Sequence, residues 1–206
     1  MSVDWGARYQ SGETPWNKGE PHPELPFLLS SHHEVVGNAK SILVPGCGLG
    51  HDASLIRSIA RTEVLGLDLA EEAIDEARRL YQGRGLAWAV GDLFEWPGRY
   101  DLVLEHTCFC AIPLDRRADY VAAMARLIPA GGHLLGIFYL NPGHEREEGP
   151  PFGVSFTELE QFFEADFQLI WSKEPEKTFA GREGAGREVS VLLRRRNPVG
   201  DLESLS

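Results

Sequence analysis

The chain has 206 residues, a formal net charge of -11 and 43% hydrophobic residues. Its length favours one α/β domain with a sizeable buried core. Its acidic balance argues against nucleic acid or an anionic membrane surface as a partner, because both attract basic patches. Three cysteines, an odd number, with no signal peptide and no apolar run long enough to span a bilayer, predict a cytoplasmic protein.

Residues 1–40 are unusual for the start of a domain, because the large rings of Trp5, Tyr9 and Trp16 stand among polar residues. Two interpretations remain open. The rings cap the core, which is a common use of aromatic side chains, or they form a cover over a bound ligand. A short helix is predicted over 27–34, ahead of the first strand.

A glycine-rich turn, with glycines at 46, 48 and 50, follows the apolar run at 42–44 and precedes a predicted helix over 51–60. A strand, a glycine turn and a helix in this order bind nucleotides. Glycine accepts positive φ and leaves room for a ligand, and the helix start offers free N–H groups. A dinucleotide fingerprint needs glycine or alanine three residues after its second glycine, and that position is His51. The turn therefore indicates a nucleoside ligand that need not be NAD, and a tight turn that binds no ligand is the alternative.

Two carboxylates stand where neighbouring strands end. A strand predicted over 63–68 closes on Asp68, and a strand over 86–90 ends just before Asp92. Carboxyl ends of parallel strands meet at the same edge of a sheet, so both acids are expected beside the glycine turn. Asp68 is placed to accept hydrogen bonds from a ribose, and the pair suits a nucleoside that lies across the sheet.

The rest of the chain continues the alternation of strands and helices. Further helices are predicted over 70–82, 115–128 and 156–164, and further strands over 100–106, 133–139, 167–171 and 188–193. Residues 141–155 are rich in glycine and proline, and we expect them to act as a lid. The pair Cys108 and Cys110 lacks the spacing of a zinc site, so no metal is predicted.

This order of elements predicts a doubly wound, mostly parallel, seven-stranded Rossmann-like sheet with helices on both faces and one antiparallel strand. We expect a single domain over 1–196, whose first 40 residues form an N-terminal aromatic cover segment, and a flexible tail over 197–206. The ligand should lie at the carboxyl ends of the strands. Those ends carry Gly46, Asp68, Asp92, His106 and Tyr139.

A series of short motifs follows the order of one known family, from about residue 4 to about residue 165. The motifs are Asp4-Trp5, Tyr9, Gly12, Thr14-Pro15-Trp16, the Val44-Pro45-Gly46-Cys47-Gly48 turn with His51-Asp52, Gly66-Leu67-Asp68, Gly91-Asp92-Leu93-Phe94, Phe109-Cys110-Ala111-Ile112 and Gly149-Pro150-Pro151-Phe152. Together they resemble the thiopurine S-methyltransferase superfamily of class I S-adenosylmethionine (SAM)-dependent methyltransferases. The closer resemblance is to its thiol, thiocyanate and halide methyltransferase branch.

The resemblance implies a set of residues that bind SAM. Aromatic residues close over the cofactor, the glycine turn lies beside its amino-acid part, Asp68 binds the ribose, and Asp92 with Leu93 contacts the adenine. The full set expected at the cofactor is Trp5, Tyr9, Trp16, Gly46, Gly48, Asp68, Leu69, Asp92, Leu93 and His106. His106 stands where the plant branch has tyrosine and the animal thiopurine enzymes have arginine, so it either contacts SAM or also acts as a catalytic base for the acceptor.

The resemblance also implies an acceptor pocket lined by Tyr139 and Phe152. Arg182, in the loop before the last strand, either meets an anionic acceptor or is an exposed loop arginine. The implied reaction is direct displacement, in which a small soft nucleophile such as a thiol, thiocyanate, a halide or a related sulfur or selenium compound takes the methyl group and leaves S-adenosylhomocysteine. An oxygen or nitrogen acceptor and a non-catalytic SAM-binding protein are the alternatives. The oligomeric state stays open, and a monomer is compatible with the sequence.

Overall fold

A computed structural model describes residues 3–197 of the chain, in which strands and helices follow one another from Ser41 onward. The strands are β1 (Ser41–Pro45), β2 (Glu63–Asp68), β3 (Ala87–Val90), β4 (Leu102–His106), β5 (His133–Tyr139), β6 (Phe167–Lys173) and β7 (Glu188–Arg195). The helices are α1 (Trp5–Ser11), α2 (Leu25–Ser31), α3 (His33–Asn38), α4 (His51–Ile59), α5 (Glu71–Leu80), α6 (Arg117–Leu127) and α7 (Phe156–Phe163). The predicted tail over 197–206 lies outside the described residues except for Asn197.

All seven strands join one sheet in the order β3-β2-β1-β4-β5-β7-β6. Strands β1 to β5 pair in parallel, and β7 runs antiparallel to both of its neighbours, β5 and β6. The strand order reverses at β1, which has β2 on one side and β4 on the other. Sheets of this kind bind ligands at such a switch point. The predicted doubly wound, mostly parallel fold with one antiparallel strand is confirmed.

Helices cover both faces of the sheet, because alternate strand residues point to opposite faces. On one face, strand residues such as Leu43 and Val103 pack with Met124 of α6 and Phe163 of α7. On the other face, strand residues such as Ile42 and Leu104 pack with residues of α2, α3 and α4. No helix within residues 3–197 is long and apolar enough to cross a membrane.

The N-terminal segment differs from the prediction in its helices. Helix α1 was not predicted; Asp4 caps it by accepting the N–H of Ala7 at 2.9 Å, and Gly12 ends it with a φ of 77°. The single helix predicted over 27–34 is instead α2 and α3, which are separated at His32. Helix α2 also begins earlier than predicted, because Pro26 fits the first turn of a helix, where its missing N–H costs nothing.

Candidate active site

A cavity of about 450 Å³ lies at the carboxyl ends of the strands, within the size range of small-molecule sites. The residues that the sequence singled out and that line it are Trp5, Tyr9, Trp16, Gly46, Gly48, Asp68, Leu69, Asp92, Leu93, Tyr139 and Arg182. His106 and Phe152 are not among its lining residues. The fold therefore brings segments from residue 5 to residue 182 together around one space.

The glycine turn between β1 and α4 is held in a backbone conformation that side chains rarely adopt. Gly46, Gly48 and Gly50 have φ values of 56°, 52° and 80°. A Cβ at Gly50 would lie 2.2 Å from the ring of Trp88, while one at Gly48 would meet only the hydroxyl of Tyr9, at 3.0 Å. Gly50 is thus required by its backbone conformation and by the packing of Trp88. Gly48, at the cavity, leaves open the space that a side chain would fill.

Asp68 closes β2 and braces the glycine turn as well as lining the cavity. Its two oxygens accept the N–H of Gly48 at 2.8 Å and the N–H of Ala70 at 3.0 Å. Burial raises the pKa of Asp68 above its ordinary value, although these backbone hydrogen bonds act in the opposite direction. The second acid, Asp92, accepts the N–H of Phe94 at 2.9 Å.

Trp5 and Tyr9 each contact Trp16, and the three N-terminal rings form one wall of the cavity. The indole N–H of Trp16 donates to the Tyr9 hydroxyl at 3.0 Å, and the Trp5 and Trp16 rings meet edge to face at 5.2 Å. Burial, followed by the charge of Asp68, raises the pKa of Tyr9, so its hydroxyl stays protonated. None of the three rings belongs to either core cluster of the sheet, which favours the cover interpretation over the capping one.

His106 ends β4 and lines a smaller recess of about 60 Å³ instead of the main cavity. The recess shares Gly46 and Gly48 with that cavity. The Nδ1–H of His106 donates to Asp52 at 2.5 Å, while its buried Nε2 has no hydrogen-bond partner within the described chain. Burial alone would raise the pKa of Asp52, but the charge and hydrogen bond of His106 outweigh it and hold that pKa below its ordinary value. Asp52 is therefore ionised and fixes His106 by one ring nitrogen.

Arg182 is buried, so its interpretation as an exposed loop arginine is wrong. Its Nη1 donates to Glu188 at 3.0 Å, and its guanidinium lies 4.5 Å from the ring centre of Tyr139. A charged side chain is rarely buried unless it is paired, and Glu188 supplies the pair. Glu188 was not singled out from the sequence. Its position at the start of the last strand, next to the loop that carries Arg182, could have indicated it.

Phe152 lies beside the cavity wall rather than in it. Its N–H donates to the carbonyl of Cys110 at 2.7 Å, and its own carbonyl accepts from buried Arg117 at 2.7 Å. The neighbouring Pro150 and Pro151 line the cavity in its place. The far end of the 141–155 segment is therefore anchored to the body of the protein.

Two cysteines, Cys108 and Cys110, also line the cavity just after β4. Burial raises the pKa of Cys108 well above its ordinary value and that of Cys110 to about 12. Both side chains therefore stay protonated. They are poor nucleophiles, because the thiolate is the nucleophilic form.

The fold is that of SAM-dependent methyltransferases. The structure of 1,6-didemethyltoxoflavin-N1-methyltransferase from Burkholderia thailandensis, solved with 1,6-didemethyltoxoflavin and S-adenosylhomocysteine, matches with a TM-score of 0.72. The match covers 94% of this chain and 86% of that chain at 18% sequence identity. At this identity the likeness shows the fold alone.

The sequence identifies the family within this class. The model of the family described as thiopurine S-methyltransferase matches residues 2–192. Thiocyanate methyltransferase 1 from Brassica oleracea is 30% identical over 187 residues, which are 87% of this chain and 80% of that protein. Thiopurine S-methyltransferase from Vibrio parahaemolyticus is 28% identical over 176 residues, which are 77% of this chain and 80% of that protein.

The chain belongs to the thiopurine S-methyltransferase family. It is a SAM-dependent methyltransferase, as the resemblance implied. A dinucleotide oxidoreductase and a non-catalytic SAM-binding protein are not favoured.

Proposed function

We propose that the chain methylates a small soft anion, such as a thiolate, thiocyanate or a halide, which binds beside Tyr139 and Arg182. The observation that carries this proposal is Arg182, a buried cation at the cavity wall whose guanidinium lies over Tyr139. Arg8 and Lys18 also line the cavity. The carboxylates of the lining, Asp68 and Asp92, already accept backbone N–H groups. The cations of the lining, of which Arg182 is already paired with Glu188, support an anionic acceptor in this region.

The residues around the cavity fit SAM as the cofactor. The amino-acid part of SAM would lie beside the open glycine turn, and its ribose would bind to Asp68. Its adenine would contact Asp92, Leu69 and Leu93. Trp5, Tyr9 and Trp16 would cover it, because aromatic ring faces attract cations such as a sulfonium. When bound, SAM supplies a methyl group that its sulfonium has already activated.

We assign His106 to cofactor binding rather than to base catalysis. The recess that it lines adjoins the glycine turn, and its free Nε2 is a buried polar atom that needs a partner. A bound carboxylate or amine is such a partner. The acceptor needs no base once it is ionised, and Arg182 favours the ionised form because a nearby cation lowers the pKa of a thiol.

The remaining work of the protein is alignment and exclusion of water. Tyr139, Pro150 and Pro151 form apolar walls on the acceptor side, which limit water and the poses of a small anion. Positioning of this kind contributes about 7–11 kcal/mol to catalysis in favourable systems. Phe152 acts indirectly, by anchoring the two prolines.

Three broader predictions accompany this function. We infer one catalytic domain over 1–196, supported by the single sheet that unites the strands. A small-molecule acceptor, rather than nucleic acid, suits a cavity covered by the N-terminal segment. A cytoplasmic location remains a prediction that rests on the sequence, and the oligomeric state stays open.

The test is a change in the KM for anionic acceptors. In Arg182→Met, we expect the KM for thiocyanate and iodide to rise at least about tenfold, as for loss of a charged contact, with SAM affinity nearly unchanged. The matched control is Arg194→Met, on the exposed part of β7. An unchanged KM for both anions in Arg182→Met would remove Arg182 from the acceptor site.

A further inference from the structure

Glu188, the first residue of β7, accepts hydrogen bonds from three different side chains. Its Oε1 accepts a hydrogen bond from Nη1 of Arg182 at 3.0 Å. Its Oε2 accepts hydrogen bonds from the Nε2–H of His22 at 3.1 Å and from the hydroxyl of Thr178. The side chain of Glu188 is 1% exposed. Burial alone would raise the pKa of Glu188, but its bonds to His22 and Thr178 and the charge of Arg182 bring it to about 2. The carboxylate is therefore ionised and shared among three donors.

His22 connects this carboxylate to the N-terminal segment. Its Nδ1 accepts the N–H of Glu24 at 3.2 Å, so the ring proton is on Nε2 and the imidazole is neutral. Burial also lowers the pKa of His22. Its backbone N–H donates to Asp52 at 2.9 Å. His22 lines neither the cavity nor the recess, so its contacts serve to hold other groups.

The two segments joined in this way cover different parts of the cavity. The N-terminal segment carries Trp5, Tyr9 and Trp16, while the loop over 174–187 carries Arg182. A further hydrogen bond runs from the N–H of Lys177, in the loop, to the buried carboxylate of Glu24 at 3.0 Å. The placement of the arginine is thus tied to the placement of the aromatic cover.

We propose that Glu188 and His22 are positioning residues that make the binding of the methyl donor and of an anionic acceptor mutually dependent. This inference rests on the proposed function of Arg182 and of the aromatic cover. When the cover is ordered over the cofactor, His22 fixes Glu188, and Glu188 fixes the guanidinium that meets the acceptor. Coupling between two binding sites is reciprocal, so an acceptor held by Arg182 stabilises the cover in return.

The experiment uses the full chain and a non-reacting ternary complex. S-adenosylhomocysteine has no methyl group to transfer, so its Kd can be measured by calorimetry with and without saturating thiocyanate. We expect thiocyanate to lower this Kd at least about fivefold in the wild type, the lower end of typical coupling. In His22→Leu the ratio should fall to near 1, because Glu188 loses the donor that comes from the cover.

Two further variants separate positioning from packing. His22→Gln should restore much of the coupling, because a glutamine amide can place an N–H near the position of Nε2–H. Thr178→Val removes a different donor to the same oxygen but leaves the cover attached, so its coupling should stay near the wild-type ratio. A His22→Leu protein that couples as strongly as the wild type would overturn the proposal, as would a wild type with no coupling.

A second measurement keeps this inference distinct from the identity of the acceptor. Hydrogen exchange in the wild type should slow across residues 174–187 when S-adenosylhomocysteine alone is bound, since the cover then holds that loop. Unchanged exchange there would contradict the link even if thiocyanate is methylated. Slowed exchange in a protein that methylates no anion would keep the link and reject the proposed acceptor.

Discussion

His106 has one ring nitrogen fixed by Asp52 and the other without a partner, on the wall of the recess beside the glycine turn. In His106→Asn, the amide can keep the bond to Asp52 but offers nothing where Nε2 was. We expect weaker SAM binding and a comparable loss of kcat/KM for all acceptors, measured by calorimetry and initial rates. A general base is worth about 10²–10⁴-fold. A loss of that size confined to neutral thiols, with thiocyanate unaffected, would make His106 a base.

Asp68 has two tasks, and its substitution should reveal both. Asp68→Ala removes the acceptor for the N–H groups of Gly48 and Ala70 as well as the proposed ribose contact. We expect S-adenosylhomocysteine to bind about 1–3 kcal/mol more weakly, with some loss of unfolding free energy. Asp75→Ala, on the exposed side of α5, is the matched control and should change neither quantity. Full cofactor affinity in Asp68→Ala would exclude the ribose contact.

Glu188 should make stability depend on pH in a defined window. Its pKa falls from 4.5 to about 2 on folding, so the native state favours the ionised form. The stabilisation is complete above pH 4.5 and disappears as the pH falls toward 2; a shift of this size corresponds to about 3 kcal/mol. The unfolding free energies of wild type and Glu188→Gln in urea should therefore differ most near pH 6 and converge as the pH is lowered. A constant difference would mean that Glu188 is not ionised in the native state.

At the scale of elements, residues 1–20 are separable from the sheet. Helix α1 contacts α5, where Gln10 donates to Glu72, and its rings lie outside both cores. Deleting residues 1–20 should leave a cooperatively folded protein whose affinity for S-adenosylhomocysteine is much lower, as circular dichroism melting and calorimetry can show. Trp5→Ala/Trp16→Ala in the full chain should give the same trend. An unchanged affinity after the deletion would show that the rings are not part of the cofactor site.

The elements with strong periodicity could be predicted from the sequence, and the weakly patterned ones could not. The strands over 63–68 and 133–139 have the predicted bounds because apolar runs flanked by turn residues define them. Helix α1 escaped prediction because it has seven residues and an apolar side formed by rings that pack on Trp16 rather than on a core. Its two boundary signals, Asp4 and Gly12, were present in the sequence.

At the scale of the whole molecule, parallel topology explains why so much of the site could be predicted. Strand ends collect at one edge of such a sheet, so the glycine turn, Asp68 and Asp92 were expected together. The environments of Arg182 and His106 could not be predicted. They depend on His22, Asp52 and Glu188, which are far apart along the chain and meet only through tertiary packing. Contacts of this kind leave no local spacing to detect.

The assignment of a soft anionic acceptor is tested most directly by initial rates of methyl transfer from labelled SAM. The panel should contain thiocyanate, iodide and a small thiol, together with a phenol and an amine of similar size. We expect kcat/KM for at least one soft anion or thiol to exceed that for the oxygen and nitrogen acceptors by about 10² or more, as for a discrimination of roughly 3 kcal/mol. Transfer only to the phenol or the amine, with SAM bound normally, would contradict the assignment.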